Sequence, residues 1–279
     1  MKTRWAALIG HPVEHSLSPL IYRSFAYALE IPLHYSVLDI RARKLESSFR
    51  AAKTRPWVGW NVTLPHKVAL LDLADEIDPT AKTAGATNLI AFSNARAKAY
   101  NTDVAGFLAP LHRRGLSLNG KDCVVLGAGG AARAVGAALR SENAGNILFV
   151  NRTPDKAERL AEIFSGGACA AGSPEAAKAI AKADYVVNAT SVGLTDPSSP
   201  ISPNAEFKTG ALAYDLIYRP ALTPFLKTAK ARGAGVLNGL EMLVSQACAA
   251  WHIWFNEEVP ADIAARVLEQ LENKLNEHS

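Results

Sequence analysis

A glycine-rich turn in the middle of the chain constrains the fold more than any other feature. From residue 121 the chain reads KDCVVLGAGGAARAVGAALR, an apolar strand, a glycine-rich turn and an alanine-rich helix. Gly127 suits the tight turn, Gly129 a close approach to a pyrophosphate, and Ala132 close packing of helix on strand. The start of the helix adds N–H groups and a positive dipole end. This predicts a Rossmann-type dinucleotide site formed by Gly127, Ala128, Gly129, Gly130 and Ala131.

The end of the next strand indicates which dinucleotide binds. An NAD-binding unit places a carboxylate there to hold the ribose 2′-hydroxyl. Here the strand NILFVNRT ends in Asn151, Arg152 and Thr153, without a carboxylate. Arg152 can pair with a 2′-phosphate, and Lys156 adds positive charge nearby. The sequence therefore predicts NADP as the cofactor, with Asn151, Arg152, Thr153 and Lys156 among its contacts.

The rest of the second half continues the same pattern. NILFVNRT, ADYVVNATSVG and ALAYDLIY are nearly continuous apolar runs, and helical segments at 154–164 and 223–232 separate or follow them. Apolar strands alternating with helices predict a parallel sheet that is covered on both faces. Two long helices, 240–255 and 261–276, follow the short strand in AGVLNG.

The first half is also predicted to be α/β. WAALIG, LHYSVLDI and WVGWNVTL read as strands, and TNLIAF and RAKAYNTD as a pair joined by the turn SNA. Helices are expected at 19–30 with Ser18 as N-cap, at 44–53, and at 68–74, where leucines recur at helical spacing. Asp103 is a candidate N-cap for the helix that starts VAGF.

Composition limits the class of protein. The 279 residues are 49% hydrophobic and 20% charged, which is typical of a soluble globular chain with one large or two medium domains. The net charge of +4 comes without basic runs, which gives little support to nucleic-acid binding but suits small anionic ligands.

Membrane and metal sites receive no support from the sequence. No apolar stretch approaches the ~20 residues that span a bilayer, and the first apolar run ends too soon for a signal peptide. Cys123, Cys169 and Cys248 are odd in number and far apart, as expected of reduced thiols. No His, Cys or carboxylate set has metal-ligand spacing. We expect a cytoplasmic protein without a metal.

Polar residues gather at the predicted strand ends and turns. Each has an ordinary structural explanation, as a helix cap, a solvated lysine or a polar position on a helix. Together they supply hydroxyls, amides and one Lys/Asp pair, which suits a polyhydroxylated small molecule with a carboxylate. An NADP domain beside them suggests hydride transfer in the crevice between two domains. These residues are Ser16, Ser18, Thr63, Lys67, Asn88, the Asn101-Thr102-Asp103 run and Gln246.

In this combination the chain resembles the shikimate dehydrogenase family. The matching stretches, in family order, are GHPVEHSLSP, NVTLPHK, GATN, YNTDVAG, GAGGAARA, NRT, NATSVG, DLIYRPALTPFL and NGLEMLVSQA. The resemblance implies NADP-linked reduction of 3-dehydroshikimate to shikimate, a step toward aromatic amino acids. It also implies a substrate domain at 1–103 plus 240–279, to which the last helices return, and an NADP domain at 104–239.

Roles for single residues follow from the same resemblance. Ser16 and Ser18 would bind the substrate carboxylate. The hydroxyl side would meet Thr63, Asn88 and Gln246, and Tyr218 would also reach the substrate. Lys67 and Asp103 would flank the reacting oxygen. Further cofactor contacts would come from Thr190, Leu216, Ile217 and Gly239, with Leu216 or Ile217 and Gly239 lining the nicotinamide pocket.

Oxidising a secondary alcohol removes a hydride from carbon and a proton from oxygen, so the protein must take the proton. Lys67 is predicted to do so, with Asp103 orienting it, whereas His66 is assigned a structural role. The charge state of Lys67 stays open, because burial disfavours the ammonium and a nearby carboxylate favours it.

Two departures from the family keep substrate choice open. Tyr22 and Arg23 stand where the family usually has His-Asn, and Leu89 follows Asn88 where Thr is common. Shikimate, quinate and amino analogues are therefore all candidate substrates. A sensor that binds NADP without turnover is an alternative of another class, against which the retention of Lys67 and Asp103 argues. Monomer and homodimer are both open.

Overall fold

The computed structural model of the protein describes residues 3–14 and 16–277. Two compact units divide the chain. The first unit runs to Gly106 and resumes from Leu243 to Lys274. The second covers Phe107–Met242 and resumes at Leu275. Each unit contains its own six-stranded sheet.

The sheet of the first unit is mixed. Its strands are β1 (Arg4–Gly10), β2 (Leu33–Asp39), β3 (Trp57–Val62), β4 (Glu76–Ile77), β5 (Leu89–Ser93) and β6 (Arg96–Tyr100). Their order is β2-β1-β3-β5-β6-β4; β3 pairs antiparallel with β5, and β5 antiparallel with β6. The central β1 is buried from Ala6 onwards, as its continuous apolar run predicts. Asn94 and Ala95, both at positive φ, make the predicted turn between β5 and β6.

Helices alternate with the strands along much of the chain. In chain order they are α1 (Ser18–Ala28), α2 (Leu45–Lys53), α3 (Pro79–Ala84), α4 (Asp103–Arg113), α5 (Gly130–Ser141), α6 (Pro154–Ile163), α7 (Pro174–Ile180), α8 (Pro224–Ala231), α9 (Leu240–Phe255) and α10 (Ala261–Asn276), with a short 3₁₀ helix at Ala42–Lys44. Within the described residues, no helix combines the length and apolar character that crossing a membrane requires.

Two predictions for the first unit are wrong. Residues 68–74 form successive turns and no α-helix, because bonds such as Leu71 N–H to Val68 C=O span three residues where an α-helix spans four. Ser18 is the first residue of α1 and not its N-cap, which is Leu17. The Ser18 side chain is therefore not committed to capping.

The sheet of the second unit is parallel throughout. Its strands are β7 (Cys123–Leu126), β8 (Ile147–Asn151), β9 (Gly167–Ala170), β10 (Tyr185–Asn188), β11 (Leu212–Asp215) and β12 (Gly235–Leu237), in the order β12-β11-β10-β7-β8-β9. This confirms the predicted α/β class and parallel sheet. The pattern did not reveal β9 and α7, which are short and rich in alanine. None of Cys123, Cys169 and Cys248 forms a disulfide in the part of the chain that the structure describes.

Candidate functional site

The topology of the first sheet brings distant polar residues to one edge. Asn61 of β3 aligns with Leu89, and Leu89 with Tyr100. Because β5 runs antiparallel to its neighbours, it begins where β3 and β6 end. Thr63 therefore follows β3 at the edge where Asn88 precedes β5 and where residues 101–103 follow β6.

Lys67 and Asp103 meet at this edge, as predicted. Lys67 Nζ lies 2.5 Å from Asp103 Oδ2, and the side chains are only 14% and 9% exposed. Asn88 Nδ2 donates to the other carboxylate oxygen at 2.8 Å. The predicted capping role for Asp103 is wrong, since Asp103 begins α4 itself and its carboxylate binds these two side chains. A carboxylate held on both oxygens has a fixed orientation.

The turn that carries Lys67 is held on both sides. The buried ring of His66 donates from Nε2 to the carbonyl oxygen of Ile40 at 2.5 Å, which is the structural role expected of it. The carbonyl of Lys67 accepts from the N–H of Thr87 at 2.7 Å. The ammonium thus extends from a backbone with little freedom.

Thr102 connects Asn88 to Gln246, a role that was not assigned to it when the sequence placed Thr102 among the polar residues at the strand ends. Its N–H donates to Asn88 Oδ1 at 2.7 Å, and its hydroxyl to Gln246 Oε1 at 3.4 Å. Gln246 Nε2 donates in turn to the carbonyl of Leu243 at 2.8 Å. The sequence signal for Thr102 was its place in YNTD. Lys67, Asp103, Asn88 and Gln246 therefore belong to one hydrogen-bonded network.

Ser16 and Ser18 form a second polar group. Ser16 Oγ donates to Ser18 Oγ at 3.1 Å and accepts from the Ser18 N–H at 3.2 Å.

Thr63 packs its methyl group against Gly10, where a β-carbon would lie 2.5 Å from Thr63 Cγ2. Only glycine at position 10 leaves room for Thr63. Tyr218 lies in the second unit and is half-buried.

The glycine-rich turn lies at the switch point of the second sheet. The strand order reverses between β7 and β10, where open α/β sheets bind ligands. Gly127 has a φ of +112°, and a β-carbon there would approach Thr190 Cγ2 to 3.0 Å. A β-carbon on Gly129 would meet nothing within 4 Å, and no side chain caps α5. The N–H groups at the start of α5, which no side chain caps, fit a phosphate.

A buried polar network shapes two of the predicted cofactor loops. Asp215 accepts from Asn188 Nδ2 at 3.0 Å and from the hydroxyl of Thr223 at 2.6 Å. Asn188 Oδ1 accepts from the Thr190 hydroxyl at 2.6 Å, and the Ile217 N–H donates to Asp215 Oδ1 at 3.0 Å. Burial raises the pKa of Asp215 although these hydrogen bonds oppose it. The network positions Thr190 and Ile217.

The remaining predicted cofactor residues lie in the same unit. Arg152 and Lys156 are exposed beyond β8, and Asn151 Nδ2 donates to the carbonyl of Thr153 at 2.9 Å. A β-carbon on Gly239 would lie 2.1 Å from the carbonyl oxygen of Leu216, so position 239 requires glycine. Among the described residues, no group of three or more His, Cys, Asp or Glu could hold a metal ion.

Family models match three parts of the chain. Residues 8–90 match the shikimate dehydrogenase substrate binding domain, and residues 111–196 match shikimate/quinate 5-dehydrogenase. Residues 239–269 match the shikimate 5′-dehydrogenase C-terminal domain. These segments contain both polar groups of the first unit, apart from Thr102 and Asp103, and the glycine-rich turn of the second.

Individual relatives agree with the family models. Shikimate dehydrogenase (NADP(+)) of Moorella thermoacetica is 39% identical, over 96% of this chain and 93% of the relative. The enzyme of the same name from Methanopyrus kandleri is 38% identical over 97% of both. The structure of shikimate 5-dehydrogenase from Thermus thermophilus in complex with NADP(H) and shikimate is 36% identical, with a TM-score of 0.87 over 96% of this chain and 99% of that one. The fold, the sequence motifs and these matches agree: the chain belongs to the shikimate dehydrogenase family.

Proposed function

We propose that this chain is an NADP-dependent shikimate dehydrogenase that interconverts 3-dehydroshikimate and shikimate on the route to aromatic amino acids. The nearly buried pair of Lys67 and Asp103, 2.5 Å apart, carries this proposal. Ligand binding alone does not require such a pair, whereas a dehydrogenase needs a group that moves a proton. Family membership over nearly the whole chain supplies the substrate class.

The substrate is bound by the two polar groups of the first unit. The hydroxyls of Ser16 and Ser18 bind the carboxylate, because each O–H can donate to a carboxylate oxygen. Thr63, Asn88 and Gln246 bind the ring hydroxyls, with amides that can donate and accept. Tyr218 contributes a further contact. Lys67 and Asp103 flank the oxygen that changes oxidation state.

The cofactor is bound by the second unit. Residues 127–131 hold the pyrophosphate on backbone N–H groups at the start of α5. Asn151, Arg152, Thr153 and Lys156 hold the adenosine ribose and its 2′-phosphate. Thr190, Leu216, Ile217 and Gly239 hold the nicotinamide half. When bound, NADP supplies the hydride for reduction or accepts it in oxidation.

Lys67 moves the proton that accompanies the hydride. In reduction the ammonium donates a proton to the carbonyl oxygen as the carbonyl carbon gains the hydride, which leaves an alcohol and a neutral amine. In oxidation the amine takes the hydroxyl proton. Asp103, oriented by Asn88, keeps Lys67 directed at that oxygen.

Spectrophotometry of NADPH formation tests the proposal. Purified protein is assayed with shikimate and with quinate, each with NADP and with NAD. We expect the highest kcat/KM for shikimate with NADP. A higher value with quinate would assign a quinate dehydrogenase. NADPH binding without turnover of either alcohol would identify a sensor and contradict the proposal.

A further inference from the structure

One edge of the first sheet is a long strand that has a partner on one side only. β2 stands at the end of the strand order, and among the described residues it pairs with β1 alone. The strands at the other edges of the two sheets are short, since β4 has two residues, β12 three and β9 four. β2 has seven, Leu33–Asp39. A short edge strand offers little to pair with, and β2 lacks this protection.

β2 also lacks the other features that keep an edge strand from pairing. Its sequence, LHYSVLD, contains no lysine and no proline, and its one carboxylate is at the last position. Its register with β1 is continuous, without a bulge. The strand is fixed in the sheet, because the Tyr35 hydroxyl donates to Asn61 Oδ1 on β3 at 2.6 Å. Val37 is 39% exposed. Such an edge is a template for a further strand.

Two hydrogen bonds show which backbone groups of β2 point away from the sheet. The N–H of Arg4 donates to the carbonyl of Pro32 at 2.8 Å, and the N–H of Ile40 donates to the carbonyl of Gly10 at 2.9 Å. Successive residues of a strand direct their backbone groups to opposite sides, so the even-numbered residues of β2 face β1. The outward N–H and C=O groups therefore belong to Leu33, Tyr35, Val37 and Asp39.

We propose that β2 pairs antiparallel with the same strand of a second copy of this chain, which makes the protein a two-fold symmetric dimer with one sheet continuous across both subunits. The strand both begins and ends with an outward-facing residue. In the register that overlaps all seven residues, Ser36 therefore lies opposite its own copy, and each outward-facing residue lies opposite another. Residues paired in this way exchange two backbone hydrogen bonds. The contact is self-complementary, as the interface of a two-fold dimer must be.

The charges at the two ends of β2 favour a second copy over an unrelated partner. The exposed Glu30 precedes the strand, and exposed cations follow it at Arg41, Arg43 and Lys44. Within the described part of the chain, none of these four forms a salt bridge. The antiparallel register places the acidic end of each strand beside the basic end of the other, with Glu30 level with Ala42. Opposite charges at both ends add attraction and fix the register.

Sedimentation of the full chain tests the dimer. At about 50 µM the unmutated protein should sediment at twice the chain mass of 29.8 kDa. Val37→Pro removes an outward N–H that the pairing with β1 does not use, and it should shift the protein to a monomer. Val37→Thr keeps the N–H and a β-branched side chain, so this matched control should remain a dimer. Both variants should retain the circular dichroism spectrum of the unmutated protein.

Charge reversal tests the register without a proline. Glu30→Arg places like charges at both ends of the paired strands and should raise the dimer Kd at least about tenfold. Combining it with Arg41→Glu and Arg43→Glu brings opposite charges together again and should recover most of the lost affinity. Glu269→Arg makes the same change of charge on the exposed side of α10 in the same unit and should leave the Kd unaltered.

A monomer in the unmutated protein at about 50 µM would overturn the inference. A dimer that survives Val37→Pro, or a Kd that Glu30→Arg leaves unchanged, would place the interface elsewhere and overturn it as well. If Val37→Pro does not fold, the charge variants decide the question. None of these measurements uses substrate or NADP, so their outcome is independent of the proposed activity.

Discussion

The two units prepare their ligand sites by different physical means. In the first unit, side chains from separate elements hold one another, as Asn88 and Lys67 do on the Asp103 carboxylate. In the second, the backbone forms the proposed site, with a tight turn at Gly127 and open space at Gly129. A network of side chains can place one proton donor accurately, whereas a backbone turn binds any phosphate of the right shape. Changes in the first unit should therefore alter turnover, and changes in the second should alter cofactor affinity.

The charged residues of the two candidate sites also differ, in how far they are buried. Lys67 and Asp103 are nearly buried, and Arg152 and Lys156 are exposed. Removing a charge pair from water costs free energy that its attraction often fails to recover, so a buried pair is weak support for stability. A pair retained at that cost points to chemistry. Exposed cations carry no such cost and suit the capture of an anionic cofactor.

Lys67→Ala should have the largest effect of any single change considered. We expect kcat to fall roughly 10²- to 10⁴-fold with KM for shikimate nearly unchanged, since the lost group acts on the proton and not on binding. Steady-state kinetics in both directions measure the two constants separately.

Lys53→Ala is the matched control for Lys67→Ala. Lys53 lies in the same unit and also contacts a carboxylate, with its Nζ 2.6 Å from Asp75 Oδ1, but it is 23% exposed and belongs to neither polar group. Its kcat should stay within about twofold of the unmutated value, as for most surface pairs. A large rise in KM with normal turnover in Lys67→Ala would make Lys67 a binding residue and remove the contrast between the units.

The sequence predicted the candidate site of the second unit more fully than that of the first. The reason is how far apart in the chain the interacting residues lie. A strand, the turn at Gly127 and the helix after it are adjacent in the chain, so one short pattern contains the whole of the proposed phosphate site. The contact of Tyr35 with Asn61 joins residues 26 apart and depends on strand order. Asn61 lies two residues before Thr63, and side chains two apart in an extended segment point to the same face. This spacing was the one local sequence signal that Asn61 lies near the candidate site.

The wrong prediction for residues 68–74 has a related cause. Leucine spacing describes which residues are buried, and Leu70 is indeed fully buried. The spacing does not determine the backbone conformation that buries these residues. Here the N–H of Leu70 donates to the carbonyl of His66 and the N–H of Leu73 to that of Leu70, which gives turns of different sizes. The neighbouring turn at Lys67 is held by Ile40 and Thr87, which are distant in sequence. Tertiary contacts override the local pattern at this position.

Arg152→Ser should have the next largest effect and should act on the cofactor alone. Without the guanidinium, kcat/KM for NADP should fall about 10- to 100-fold, because a charge-assisted contact with the 2′-phosphate is lost. The value with NAD, which has no 2′-phosphate, should change less than about threefold. Lys178→Ala, on the exposed side of α7 in the same unit, is the control and should match the unmutated protein with both cofactors. An equal fall with NADP and NAD would show that Arg152 supports the fold of the turn and does not select the cofactor.

Glu241→Gln should have the smallest effect, on stability and not on catalysis. Glu241 lies in the first turn of α9 and binds two arginines of the second unit, with Arg113 Nη2 at 2.9 Å and a further contact from Arg114. Burial disfavours its ionised form, but the hydrogen bonds from Arg114 and Arg113 outweigh burial and lower the pKa of Glu241 below its usual 4.5. A lowered carboxyl pKa means that the stabilisation is complete above pH 4.5 and is lost as pH falls through the value in the folded protein.

The expected result is a pH-dependent difference in melting temperature. At pH 7, Glu241→Gln should lose about 1 kcal/mol, and the difference should disappear in acid, where the unmutated carboxyl is also neutral. Glu46→Gln provides the control, because Glu46 also pairs with an arginine, Arg50 at 2.6 Å, but that pair is mostly exposed, so its loss should be smaller. Both variants should retain normal kcat at pH 7. A fall in kcat for Glu241→Gln would mean that a partly buried ion pair of the second unit contributes to turnover, and the assignment of turnover to the side-chain network of the first unit would no longer hold.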